Sequence, residues 1–158
     1  MTDREDVAAT AKELVKDRVA SLQWQEMEEL VAGILRAMGY KTRVSPVGPD
    51  RGMDVFASPD GLGLEQPRIK VEVKHRKGQI GAPEVRGFIG GLQTSDRGLY
   101  VSTGGFSREA RYEADRSSIP VTLLDIDEVV RLLLEHYENA DNRLRSLVPL
   151  VPVFWPAS

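Results

Sequence analysis

The stretch Arg68-Ile69-Lys70-Val71-Glu72-Val73-Lys74 decides the fold of this chain. Its apolar residues Ile69, Val71 and Val73 alternate with charged ones. That period of two predicts a strand with one buried and one polar face. Just before it, MDVFA (53–57) reads as a short strand closed by the turn SPDG, and YKTRV (40–44) as another, with the turn formers SPVGPDRG (45–52) between them. Three strands in succession predict an antiparallel meander.

Downstream the pattern changes to strands alternating with helices. Pro83 suits the first turn of a helix running to about Leu92, with Val85, Phe88, Ile89 and Leu92 as its apolar stripe. Its glycines Gly87, Gly90 and Gly91 weaken a helix unless its backbone presses closely on a neighbour. RGLYVST (97–103) and IPVTLLD (119–125) are predicted strands, with a helix capped near Ser107 between them. Asp125 with Glu128 forms a capping box for a last helix, VVRLLLEHY. Upstream, residues 3–20 read as a polar helix with Thr2 as N-cap and Val7, Ala11, Leu14, Val15 and Val19 on one side. Ser21 offers a cap for a second helix, in which Trp24, Met27, Val31, Ile34, Leu35 and Met38 recur at helical spacing and Gly39 supplies the stop. The expected class is α/β, a mixed central sheet flanked by helices, with an extra N-terminal helix. The tail NRLRSLVPLVPVFWPAS is apolar but broken by Pro149, Pro152 and Pro156; it is predicted not to be helical and to dock on some surface.

Composition bounds the chemistry. A length of 158 residues suits one domain, and 41% hydrophobic with 28% charged residues is ordinary for a globular protein. The absence of cysteine excludes disulfides, thiolate metal sites and a cysteine nucleophile. His75 and His136 lie far apart without zinc-ligand spacing, so carboxylates and a hard cation are what remain. The N-terminus lacks a signal-peptide apolar core, and no apolar run approaches membrane-spanning length, so a cytoplasmic location is expected. With a net charge of −3, any nucleic-acid site must be a local basic patch.

Glu72 and Lys74, two apart on a strand, leave the same face and can converge on one point. An exposed strand gives the same pattern by accident, so neighbours decide. Asp54 starts the preceding strand after a glycine-containing turn, where a meander would set it beside Glu72; the alternative is a turn residue bonding its own backbone. Glu28 falls about 80° from the centre of its helix's apolar stripe, at 100° per residue, where the helix meets the sheet. A carboxylate there needs a partner, a proton or a metal, and an ordinary salt bridge would also serve. Together the four suit phosphodiester hydrolysis. Asp54 and Glu72, with the Val73 backbone carbonyl, provide oxygen ligands for magnesium. Lys74 stabilises developing charge, and Glu28 holds the lysine or a water. Lys70, Lys74, His75, Arg76 and Lys77 form a basic run suited to a phosphate backbone or to a solvated face, and Arg108 and Arg111 are weaker candidates for contacting DNA.

These residues resemble the catalytic domain of Mrr-type restriction endonucleases, in the PD-(D/E)XK nuclease superfamily. The resemblance spans roughly residues 24–135. It is carried by MEELV (27–31) with AMGY (37–40), DRGMDV (50–55), VEVK (71–74), PEVRGFIGGL (83–92) and YVSTGGFS (100–107). Met53 stands where the superfamily's proline would be, and Glu72 where many Mrr-like proteins carry glutamine. The resemblance implies a restriction-endonuclease-like core (αβββαβ plus a further αβα) and catalytic positions at Glu28, Asp54, Glu72 and Lys74. It also implies a Mg2+-dependent DNA endonuclease of restriction or defence type, with Mn2+ able to substitute. A homodimer is expected, because cutting both strands usually takes two sites, as is a separate DNA-recognition or translocation subunit. The expected organisation is a helical extension (1–23), a nuclease domain (24–140) and the tail (141–158). A Holliday-junction resolvase-like nuclease and a non-catalytic nuclease-fold DNA-binding or scaffold module are the competing readings.

Overall fold

Apolar alternation becomes structure where each apolar face finds a partner, and here a single sheet serves both sides. The computed structural model describes residues 3–44 and 55–157. In chain order the elements are α1 (Asp3–Ala20), α2 (Trp24–Ala37), β1 (Lys41–Val44), β2 (Val55–Ser58), β3 (Arg68–Lys74), α3 (Ala82–Gly90), β4 (Asp96–Ser102), α4 (Arg108–Asp115), β5 (Val121–Leu124), α5 (Ile126–His136) and α6 (Asn142–Leu147). The strands form one sheet in the order β1-β2-β3-β4-β5. The meander is borne out: β1, β2 and β3 are antiparallel, and β3, β4 and β5 then run parallel through helical crossovers.

The two faces of β3 separate two cores. Val71, with Val55 and Val101, packs beneath α2 and α5 in a cluster that includes Met27, Leu30, Ile34 and Leu133. On the other face Tyr100 packs with Val85, Phe88 and Phe106 from α3 and the loop before α4. Each large apolar side chain so buried contributes about 1.5–3 kcal/mol. Among the described residues no helix is long and apolar enough to cross a membrane.

Four local expectations are corrected. Ser21 does not cap α2; its hydroxyl donates to the Arg18 carbonyl at 2.7 Å, closing α1. Gln23 is the N-cap, and its amide donates to Glu26 Oε1 at 2.8 Å. The expected stripe on α1 docks only at its end. Val15 and Val19 are buried while Val7 and Leu14 are exposed, and Lys16 reaches Asp127 on α5 at 3.0 Å. The glycines of α3 do not press on a neighbour, since Gly87 and Gly90 face open space. The close approach is made by Gly98 on β4, where a Cβ would stand 2.8 Å from Phe88 and 2.9 Å from Leu92.

The last correction concerns the tail, whose first part is helical. Asp141 accepts from the Leu144 amide at 2.9 Å, capping α6, and the prolines begin only beyond it. Leu144 and Val148 are fully buried, Leu144 against Gly33 of α2. Tyr137 donates its hydroxyl to the Val148 carbonyl at 2.7 Å. Within the tail only residues 151–157 are exposed throughout. The Thr2 cap lies outside the described residues.

Candidate active site

β3 carries its charged residues on the α3 side of the sheet, and Glu72 and Lys74 stand there as adjacent same-face neighbours. Their side chains meet, Lys74 Nζ lying 3.5 Å from Glu72 Oε1, with about a third of each side chain exposed. Parallel register sets Glu72 beside Tyr100 and Lys74 beside Ser102. Burial first, and the Glu72 charge second, hold the Tyr100 phenol above its ordinary pKa, so it stays neutral as a potential donor.

Glu28 approaches from the other side. The helical angle that put it on the shoulder of the apolar stripe puts it into the α2–sheet boundary, where it is 3% exposed. It lines a cleft of about 340 Å³ at the C-terminal end of β3 together with Trp24, Val73, Lys74, His75 and Arg76. The structure therefore brings Glu28, Val73, Lys74 and, through its ion pair, Glu72 to one end of one strand. Asp54 lies outside the described residues; β2 begins one residue later, with Val55 opposite Val71.

This end of the strand is held by a network that sequence reading missed. His75 is not a solvated residue. Its Nε2 lies 2.6 Å from the Leu22 carbonyl, so Nε2 carries a proton and donates, and its Nδ1 lies 2.9 Å from Thr103 Oγ1. Thr103 Oγ1 also accepts from the Arg76 amide at 3.1 Å, and the Thr103 amide donates to the Lys74 carbonyl at 3.1 Å. One imidazole thus ties the entrance of α2, which carries Glu28, to the strand that carries Lys74. The loops after β3 and β4 are pressed together as well: a Cβ on Gly104 would lie 2.3 Å from the Gly78 carbonyl oxygen. Trp24, placed by its spacing on the apolar stripe of α2, stands four residues before Glu28 on the same side of the helix and lines the cleft with it.

The basic run does not act as a unit. Lys70 points toward the Gly91 carbonyl at 3.4 Å, in a different groove from the end of β3. His75 is engaged as described, and Arg76 pairs with Glu84 at 2.6 Å, leaving Lys77 exposed. Arg108 begins α4 and is exposed; Arg111 pairs with Asp125 at 3.5 Å and lies over the Phe106 ring. Among the described residues no cluster of three His, Asp or Glu side chains could hold a metal. What they offer a cation is the Glu72 carboxylate and the Val73 carbonyl, a donor set of the hard-oxygen kind that magnesium accepts with one or two carboxylates.

A five-stranded mixed sheet flanked by helices, with the Glu-x-Lys strand at its centre, is the restriction-endonuclease fold. The chain shares its fold with the DNA modification-dependent restriction endonuclease AspBHI (TM-score 0.59, 18% identity, covering 85% of this chain and 38% of that one). It shares it also with AF1548, a protein of unknown function (TM-score 0.50, 19% identity, 68% and 65% covered). Within that fold, the chain belongs to the Mrr-type restriction endonuclease family, whose Mrr_cat model, described as restriction endonuclease, matches residues 19–133. It is 31% identical over 138 residues to the type IV methyl-directed restriction enzyme EcoKMrr of Escherichia coli (strain K12), a match covering 82% of this chain and 44% of that protein. The chain thus spans less than half of that relative's length.

Proposed function

We propose that this chain is a Mg2+-dependent endodeoxyribonuclease of restriction or defence type, with Mn2+ able to replace Mg2+. The observation that carries the reading is the meeting of Glu72 and Lys74 at 3.5 Å, at the strand end where the buried Glu28 lines the cleft. Glu72, the Val73 carbonyl and Asp54 would hold the cation. When bound, it neutralises phosphate charge and makes a water more acidic. The protein's own groups do the rest. Lys74 is drawn to one position by Glu72, and its ammonium counters the charge that builds on the scissile phosphate. Glu28, buried at the α2–sheet boundary, fixes the lysine or an attacking water. His75 keeps α2 and β3 in register, which matters because displacing a catalytic group by about 1 Å can cost roughly a hundredfold in rate.

Action as a homodimer follows from the need to cut two strands. Methyl direction belongs to the name of the Escherichia coli relative, of which this chain spans 44%; here we assign cleavage, with target choice left to a separate recognition module. The test is incubation of the purified protein with unmethylated plasmid, methylated plasmid and four-way-junction DNA, each with Mg2+, Mn2+ or EDTA. Plasmid cutting that needs metal supports the reading, and junction-only cutting would replace it with a resolvase. Binding without cutting under every condition would make the chain a scaffold module.

A further inference from the structure

Register assembles a second basic feature from residues that sequence keeps apart. Arg43 on β1 is the cross-strand partner of Phe56 on β2, and Phe56 is the partner of Lys70 on β3. Directly opposed residues share a face, so these three form a row across the sheet, on the face that carries Glu72 and Lys74. The Arg43 guanidinium lies over the Phe56 ring, 5.0 Å from its centroid, which restrains a side chain that would otherwise sample many rotamers. Lys70, at the other end of the row, leans to the Gly91 carbonyl at 3.4 Å, a weak contact that a stronger acceptor would displace.

The row forms the floor of a groove of about 300 Å³ whose lining also includes Arg68, Asp96 and residues of the 58–63 turn. Asp96 adds little negative field, because it is neutralised by Arg68 at 3.8 Å and accepts from the Gln93 amide at 2.8 Å. The wall is built to stay in place. Asp60 accepts from the amides of Leu62, Gly63, Leu64 and Glu65 at 3.0–3.2 Å, and Ser58 Oγ accepts from the Gly61 amide at 3.0 Å. The groove is therefore cationic with a well-tied wall, and its row lies on the same face of β3 as the candidate catalytic pair, toward the other end of the strand.

We infer that the Arg43–Phe56–Lys70 row is a backbone subsite of the nuclease, binding phosphodiesters of the DNA strand that flank the one held at Glu72 and Lys74. This rests on the nuclease reading above. A strand rises about 3.3 Å per residue, so Lys70 lies about 7 Å from Glu72 and about 13 Å from Lys74. These separations are on the scale of the spacing between neighbouring phosphates of one DNA strand, so the row would reach phosphates close to the one at the catalytic pair. Arg43 and Lys70 position the duplex and carry no sequence information. Phe56 sets the guanidinium in place.

The test is equilibrium binding of a fluorescently labelled 20-base-pair duplex in EDTA, from 25 to 200 mM salt, by wild type, Arg43→Gln, Lys70→Gln and the double variant. Lys12→Gln, on the exposed part of α1, is the control. Each phosphate contact contributes about 0.9 to the slope of log K against log salt, equivalent to about eightfold in affinity at 0.1 M relative to 1 M salt. Each single variant is expected to lose that slope and about that affinity, the double variant about twice the slope, and the control neither. Phe56→Leu keeps both charges, so it should weaken binding without changing the slope. In metal-dependent cleavage Arg43→Gln and Lys70→Gln should raise KM and leave kcat at saturating DNA unchanged. Slopes equal to wild type in folded variants overturn the subsite, and if plasmid is still cut the nuclease reading stands without it. Absence of DNA binding by wild type overturns the subsite, while loss of cutting confined to Lys74→Ala leaves the catalytic assignment intact.

Discussion

Gly104→Ala probes how the fold holds the candidate site, and its cost can be worked from the packing. A Cβ at Gly104 would stand 2.3 Å from the Gly78 carbonyl oxygen and 2.6 Å from that of Arg76. Ordinary contacts to a methyl carbon begin near 3.4 Å, and both obstacles are backbone, so the loops after β3 and β4 must part by about 1 Å. Overpacking of this kind costs about 1–3 kcal/mol, or more where backbone must move. For a chain of this size that lowers Tm by about 2–12 °C. Separation also strains the bonds of Thr103 to His75 and to Arg76, and with them the placement of Lys74 relative to Glu28. Cleavage at a temperature where the variant remains folded should fall by about a hundredfold. Gly78→Ala is the internal control: it lies on the other side of the same contact, yet its own Cβ would meet nothing within 4 Å, so it should be neutral. Thermal denaturation followed by circular dichroism and plasmid nicking reads both effects. A Gly104→Ala protein that melts within a degree of wild type and nicks at the wild-type rate would refute the loop-clamp argument.

Three further outcomes follow from particular contacts. Gly87→Ala replaces an exposed mid-helix glycine with open space around it, and should stabilise the protein by about 0.5–1 kcal/mol in chemical denaturation. Truncation after Leu150 should leave Tm unchanged, whereas truncation after Asn142 removes the buried Leu144 and Val148 and should cost several kcal/mol, since loss of one such leucine side chain alone costs about 2–5 kcal/mol. Equal melting of the two truncations would contradict the α6 packing. The Asp141 carboxyl is held below its ordinary pKa of 3.8 by the Arg36 hydrogen bond at 2.7 Å and then by the Leu144 amide. A depressed folded pKa gives stability that is present above pH 3.8 and lost as pH falls through the lower folded value. The stability gap between wild type and Asp141→Asn, a variant that keeps a good cap, should therefore be present at pH 7 and close below about pH 3.8; a gap independent of pH would show that the charge plays no part.

The parts of the fold written in local pattern were legible. Alternation gave β3 its faces, and hence the Glu72–Lys74 pair; the Asp125–Glu128 box began α5 as expected, the Glu128 backbone amide donating to Asp125 Oδ1 at 3.0 Å. The helical angle of Glu28 anticipated its burial. Contacts made by tertiary register were not legible. Nothing local joins His75 to Leu22 and Thr103, which lie 53 and 28 residues away. The continuous basic run of 70–77 suggested one patch, but a strand end separates Lys70 from the residues after Lys74, and cross-strand pairing gives Lys70 new neighbours in Phe56 and Arg43. Prolines misled the reading of α6, because a helix is broken only by a proline inside it and these stand after its end.

The roles of Glu72 and Lys74 are tested most directly by comparing Lys74→Ala and Glu72→Gln with wild type in Mg2+-dependent plasmid cleavage, with circular dichroism and melting recorded for each. Both side chains are partly exposed, so both variants should fold as wild type does. Each is expected to abolish cutting while duplex binding in EDTA persists. Lys74→Ala protein that cuts plasmid as fast as wild type would contradict these roles.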